Sequence, residues 1–180
     1  MATTFSPSSR NTDAVRFQLE QRINGPVDSV AEAFVDPGFY ELLAALPNLA
    51  RPELLGREEK GAVVRMRVRY RFTGQLSAAV RAAIDPQKLS WVEEADHDLG
   101  AHHVTFRMIA DHYADRFRCS GTYRFEPAGD AVTIRNCTGD IQIRMPLVGR
   151  RVETAIVSGV REHLNAEVEL VERFIADQAG

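Results

Sequence analysis

Few residues able to do chemistry stand beside a second one in this chain. Five histidines and two cysteines are scattered through 180 residues. His102 and His103 are adjacent on a predicted strand, so their side chains leave by opposite faces and cannot share a metal ion. His97 and His102 flank the turn "DLGA" and could meet across a hairpin, as a surface metal site would require. His112 sits in "ADHYAD", an aspartate-rich turn, and reads as a solvated loop histidine. His163 is more informative. It lies beside the apolar stripe of a C-terminal helix, where an imidazole can orient a ligand inside a cavity. Cys119 falls on the apolar phase of its strand, with no cation or histidine motif nearby to generate a thiolate. It reads as a small buried hydrophobe, as does Cys137. The two cysteines have no CxxC spacing, so neither a zinc module nor a disulfide framework is expected.

A second pattern is "VVRMRVRYRF" at residues 63–72, with Arg65, Arg67, Arg69 and Arg71 at every second position. Between them Val64, Met66, Val68, Tyr70 and Phe72 point the other way. Nucleic-acid modules carry a basic excess, because phosphate neutralisation supplies most of their affinity. Here 22 Lys and Arg stand against 25 Asp and Glu, a formal charge of -3. The next strand, "KLSWVEEADH", offers Glu94 and Asp96 on its outward phase, so cross-strand ion pairs are expected on the wet face. The apolar face is the better place to look for function. Along it Met66, Val68 and Tyr70 would form one cavity wall, with Trp91, Phe106, Met108, Phe117, Cys119 and Tyr123 from later strands. Glu93 shares the phase of Trp91, and Asn136 and Thr138 fall on the expected inward phase of the last strand. Polar groups are costly to bury without partners, which makes Glu93 and Asn136 cavity candidates. Ile156, Val160 and His163 of the helix and Phe39 of an early helix complete the candidate lining. No residue is assigned a catalytic role. "GQLSAAV" and "PLVGRRV" contain no phosphate-binding glycine motif. Arg150 and Arg151 at the helix start could hold an anion.

The elements that must position these groups follow from periodicity. Residues 1–12 are rich in Ser, Thr, Pro and Asn and read as a flexible tail, leaving 13–180 as a single domain. With 44% hydrophobic residues the chain can bury a real core. Neither a signal-peptide pattern nor a membrane-length apolar run is present, and the expected location is the cytoplasm. Residues 14–23 alternate as a strand, and two short helices follow, broken at Asp36-Pro37-Gly38. A hairpin is predicted to turn near Glu59-Lys60-Gly61. "QLSAAVRAAIDP" fits a short helix or a strand. Four further strands follow, the last running through "AVTIRNCTGDIQIRM". Its apolar phase slips from Val132 and Ile134 to Ile141 and Ile143, which predicts a one-residue bulge near Gly139. From Pro146 the period becomes helical, for roughly 28–30 residues.

Consecutive hairpins imply an antiparallel sheet whose apolar face must be covered, and only the final helix is long enough to cover it. The fold class is therefore α+β, a seven-stranded curved sheet in the order β-α-α-β6 around a long C-terminal α-helix. The order resembles the helix-grip fold of the StAR-related lipid-transfer, birch-pollen-allergen and polyketide-cyclase superfamily. "VRFQLEQRINGPVDSVAEAFVDPGFY" and "MPLVGRRVETAIVSGVREHLNAEVELVERFI" carry the resemblance. "DHYADRFRCSGTYRF" with "PLVGRRVE" is similar to an uncharacterised bacterial branch of it. The resemblance implies a cavity for an apolar ligand between sheet and helix. The expected partner is a small hydrophobic ligand, lipid or polyketide-like, with no metal or other cofactor and no nucleic acid. A homodimer stays open. The alternatives are a cyclase or aromatase, or a non-catalytic interaction subunit with a filled core.

Overall fold

A computed structural model of the chain describes residues 14–82, 84–144 and 149–178, without the side chains of 79, 143, 149–158 and 160. The expected tail over residues 1–12 and the proposed helix start at Pro146 lie outside the described residues, as do the side chains of Arg150, Arg151, Ile156 and Val160.

Strand β1 (Ala14–Asn24) alternates as its sequence requires, with Phe17, Gln21 and Ile23 buried. Gly25-Pro26 ends it, and α1 (Val27–Ala33) begins directly after the proline. Pro37 disfavours helix at Asp36, so the chain breaks there and restarts as α2 (Pro37–Leu42). The Asp36 carboxylate accepts from the Gly38 amide at 2.7 Å and caps the new helix. Strands β2 (Glu53–Lys60) and β3 (Val63–Arg71) form the expected hairpin, with Gly61 in the left-handed region at φ 62°. The ambiguous segment after β3 is a one-turn helix, α3 (Ala78–Arg81), capped by Ser77.

Strands β4 (Ser90–Asp98), β5 (His103–Ala110), β6 (Phe117–Pro127) and β7 (Val132–Ile143) complete the sheet. All neighbours pair antiparallel in the order β1-β7-β6-β5-β4-β3-β2, so the last strand closes back on the first. The 30-residue helix α4 (Gly149–Gln178) packs its Leu164, Leu170 and Val171 side against the concave face.

The expected bulge near Gly139 is absent. β7 pairs with β1 and with β6 in unbroken register from Thr133 through Ile141. Its inward side chains are Thr133, Arg135, Cys137 and Ile141, all at most 1% exposed. The phase that periodicity assigned to Val132, Ile134, Asn136 and Thr138 is thus the outer one. The cause is Arg135, a buried arginine on the phase where an arginine signals solvent. The sheet's register shift falls instead on the edge strand β2, between Leu54 and Gly56.

Gly121 of β6 faces Gly139 of β7. A Cβ at Gly121 would meet the Thr138 carbonyl oxygen at 2.2 Å and the Gly139 Cα at 2.8 Å. A Cβ at Gly139 would meet the Phe17 ring at 2.6 Å. The pair lets two backbones and two aromatic rings approach more closely than any other residues would allow. Gly121→Ala should therefore destabilise by at least ~1–3 kcal/mol, because backbone atoms must shift. Gly56→Ala, which meets nothing within 4 Å, should stay within about 0.5 kcal/mol. Urea unfolding of the two variants checks the contrast.

Candidate functional site

The inner face of the sheet has two characters. Val64, Met66, Val68 and Val104 are sealed, at no more than 2% exposure. Trp91, Glu93, Met108, Phe117 and Tyr123 also point inward but remain only half-buried, as does His163 on the facing side of α4. The register explains the grouping. Tyr70 of β3 pairs with Trp91 of β4, Val68 with Glu93, and Glu93 in turn with Met108 of β5. Met108 faces Cys119 of β6, where the β5–β6 ladder ends. On the outer face a groove of about 540 Å³ passes over this end of the ladder, lined by Arg107, Arg118, Ser120, Asp140 and Gln142 together with Met108 and Cys119.

Aromatic rings organise the half-buried region. Tyr70 and Trp91 stack with centroids 5.7 Å apart, and the His163 ring stands edge-on to Tyr70 at 6.3 Å. Phe106 stacks on Tyr123 at 4.7 Å. Phe39 belongs to a different cluster: it is wholly buried against Phe34, Tyr40 and Phe174, and it holds α2 to the end of α4. Among the described residues Trp91 Nε1 and His163 Nδ1 are buried without a hydrogen-bond partner, as is His97 Nδ1. Orphaned polar atoms are uncommon in native interiors.

Periodicity missed one set of functional groups. Arg135 donates from Nη1 to Glu167 Oε2 at 2.6 Å, from Nε to Gln21 Oε1 at 2.8 Å and from Nη2 to the Leu164 carbonyl at 3.3 Å. Gln21 Nε2 donates to the same carbonyl at 2.6 Å. The guanidinium lies between the rings of Phe34, 4.9 Å away, and Tyr123, 5.6 Å away. Three elements, β1, β7 and α4, are thereby joined through one buried charge pair.

Among the described residues Glu93 has no such partner. Burial pushes its carboxyl up to about 7; the nearby negative charge of Glu167 adds to the rise and the positive charge of Arg135 opposes it. Burial, reinforced by Glu93, also raises the phenols of Tyr40, Tyr70 and Tyr123 well above the usual range. Cys119 and Cys137 are pushed up to about 12, again chiefly by burial, so neither offers a thiolate. Burial lowers His163 and takes His97 down to about 4, which leaves both neutral at ordinary pH.

Asn136 does not join this group. It sits on the outer face, 3.4 Å from Glu126, and its neighbour Thr138 meets Thr122 at 3.1 Å, also outside. The strand phase set by Arg135 is the reason. His102 is turned from His97 altogether and contacts Asp28 of α1 at 2.7 Å. His112 is exposed in its turn. On the outer face Arg65 pairs with Asp96 at 2.6 Å and Arg67 with Glu94 at 3.3 Å, as the alternation of "VVRMRVRYRF" implies.

Residues 18–175 match a family described as a protein of unknown function, DUF2505, and the chain belongs to that family. No curated protein matches. Solved structures do. One is TTHA0849 from Thermus thermophilus, at 19% identity and a TM-score of 0.67, covering 92% of this chain and 99% of that one. Zhui aromatase/cyclase from Streptomyces sp. R1128 aligns at 18% identity and a TM-score of 0.64, over 89% and 94% of the two chains. Norcoclaurine synthase from Thalictrum flavum, in complex with dopamine and hydroxybenzaldehyde, aligns at 15% identity and a TM-score of 0.62, over 98% of each. At these identities the likeness is one of fold, the helix-grip fold, and the expected class is met. No described helix is long and apolar enough to cross a membrane.

Glu93 yields a prediction about pH. Its carboxyl holds a proton more tightly in the folded chain than in the unfolded one, so its contribution to stability falls as pH rises from about 4.5 to about 7. His97, depressed to about 4, slopes the other way, losing stability as pH falls below about 6.5. The parent alone therefore mixes two trends, whereas its difference from Glu93→Gln isolates the carboxylate. Glu93→Gln should match the parent near pH 4.5 and exceed it at pH 8 by up to ~3 kcal/mol. Urea unfolding at the two pH values checks this; a gap that does not change with pH contradicts it.

Proposed function

We propose that this chain binds a small, mainly apolar ligand between the inner face of β3–β6 and α4. We infer that its family is a branch of the superfamily that includes the lipid-transfer proteins, the pollen allergens and the polyketide cyclases. The observation that carries the reading is the half-buried patch of Trp91, Glu93, Met108, Tyr123 and His163. An interior that served packing alone would not hold a lone carboxyl and two orphaned ring nitrogens. The neighbours support it through what their descriptions say: one is an aromatase/cyclase and another holds dopamine and hydroxybenzaldehyde. A cytoplasmic location goes with this reading.

One observation favours a second reading, acid–base catalysis on the bound ligand. A carboxyl near 7 can both give and take a proton at neutral pH, which suits a general acid or base. In that case Glu93→Gln abolishes turnover of a polyketide-like chain and leaves its binding intact. Under simple carriage no such turnover exists to lose.

The test is extraction and native mass spectrometry of protein purified from its own host, followed by thermal shift with fatty alcohols, sterols and aromatic polyketides. A bound ligand at a hundred times its Kd should raise stability by about 2.7 kcal/mol. Met108→Trp, which fills the patch, should keep the fold and remove that gain. If no compound stabilises the parent and nothing co-purifies, the interior is packed and the interaction-subunit alternative takes over.

A further inference from the structure

Resting on the ligand reading above, we propose that the ligand carries an organic cation, such as an ammonium group, seated at Glu93 against the rings of Trp91 and Tyr70. The argument is one of charge balance inside the grip. Among the described residues the inward-facing ionic groups are Arg135, Glu167 and Glu93. Arg135 is fully committed: Nη1 goes to Glu167, Nε to Gln21 and Nη2 to the Leu164 carbonyl, with a ring on either side. Glu93 is therefore the surplus charge, and of its two ionic neighbours Glu167 acts on it more strongly than Arg135.

A carboxylate or phosphate ligand entering this space would add a second negative charge, with no uncommitted inward cation among the described residues to meet it. A cation would instead complete the missing pair. The stacked faces of Tyr70 and Trp91, with centroids 5.7 Å apart, supply the electron-rich surface that such a group prefers. Trp91 Nε1, a donor without a partner, further calls for a hydroxyl or carbonyl oxygen on the same ligand.

The remaining titratable groups around Glu93 do not change this balance. Tyr70 on β3, Cys119 and Tyr123 on β6, Cys137 on β7 and Tyr40 on α2 are all held neutral by burial. His97 on β4 is lowered to about 4 and stays neutral, and burial lowers His163 on α4 as well. Glu167 on α4 is paired with Arg135. Glu93, raised to about 7, thus changes charge between pH 6 and 8.

The experiment uses matched probes with one skeleton and three head groups: tryptamine, tryptophol and indole-3-acetate, and separately dodecylamine, dodecanol and dodecanoate. Calorimetric titration at pH 8 should rank amine over alcohol over carboxylate, with at least a roughly tenfold gap at the first step. Amine affinity should fall several-fold from pH 8 to pH 6 as Glu93 takes up its proton, while alcohol affinity stays level. Glu93→Gln should bind amine and alcohol alike. Should that variant fold poorly, the pH profile of the parent decides on its own. Binding of alcohol or carboxylate without preference for the amine overturns the cation and leaves the cavity standing. If no probe of either series binds, both readings fall.

Discussion

The interaction on which the architecture depends is the buried pairing of Arg135 with Glu167, completed by Gln21 and the Leu164 carbonyl. Withdrawing two charges from water costs several kcal/mol each, so such a pair adds little net stability unless every donor is satisfied. Here Nε, Nη1 and Nη2 of the guanidinium all find acceptors. What the pair supplies is uniqueness. An apolar stripe can slide or rotate on an apolar sheet at small cost, but a guanidinium cannot leave its carboxylate in a dry interior. Helix α4 is therefore fixed in height and rotation over β1 and β7. The half-buried patch on β3–β6 owes its geometry to an anchor several strands away.

That anchor also marks where the sequence could be read and where it could not. The seven strands, the two helices split at Pro37 and the long final helix all follow from simple alternation and spacing, because most inward positions are apolar. Alternation fails at Arg135 because it equates charge with solvent. Placing Arg135 outward forced Val132 and Asn136 inward and required a bulge that does not exist. The signal was nevertheless present: Thr133, Arg135, Cys137, Gly139 and Ile141 keep one phase, and Gln21 and Glu167 are likewise polar residues on apolar faces. Read together, the three compensate one another. Glu93 was easier to find, since it stands alone on the phase of Trp91. The half-burial of its surroundings was not readable, because it depends on how far the helix sits from each strand.

Neighbouring residues on β4 show how strongly the two faces of one sheet differ as electrostatic environments. Glu94 accepts from Arg107 at 2.5 Å on the outer face, and that hydrogen bond holds its carboxyl below the ordinary range. Glu93, one residue earlier, is raised to about 7 by burial. The same chemical group is thus a permanent anion on one side of the strand and a titrating one on the other. Nothing but the strand's pleat separates them. The arginine stripe of β3 belongs to the first environment: Arg65 and Arg67 pair with Asp96 and Glu94 of the adjacent strand.

The close approach at Gly121 and Gly139 has a consequence for how such a protein can change. The approach of β6 to β7 there rests on two residues that have no side chain, and Phe106 and Phe17 close over them. The approach of β6 to β7 is therefore decided by backbone, while the chemistry of the inner face is decided by separate positions such as Trp91, Glu93 and Met108. Shape and surface chemistry are encoded at different addresses, so the inner face can be rewritten one residue at a time while the sheet keeps its form.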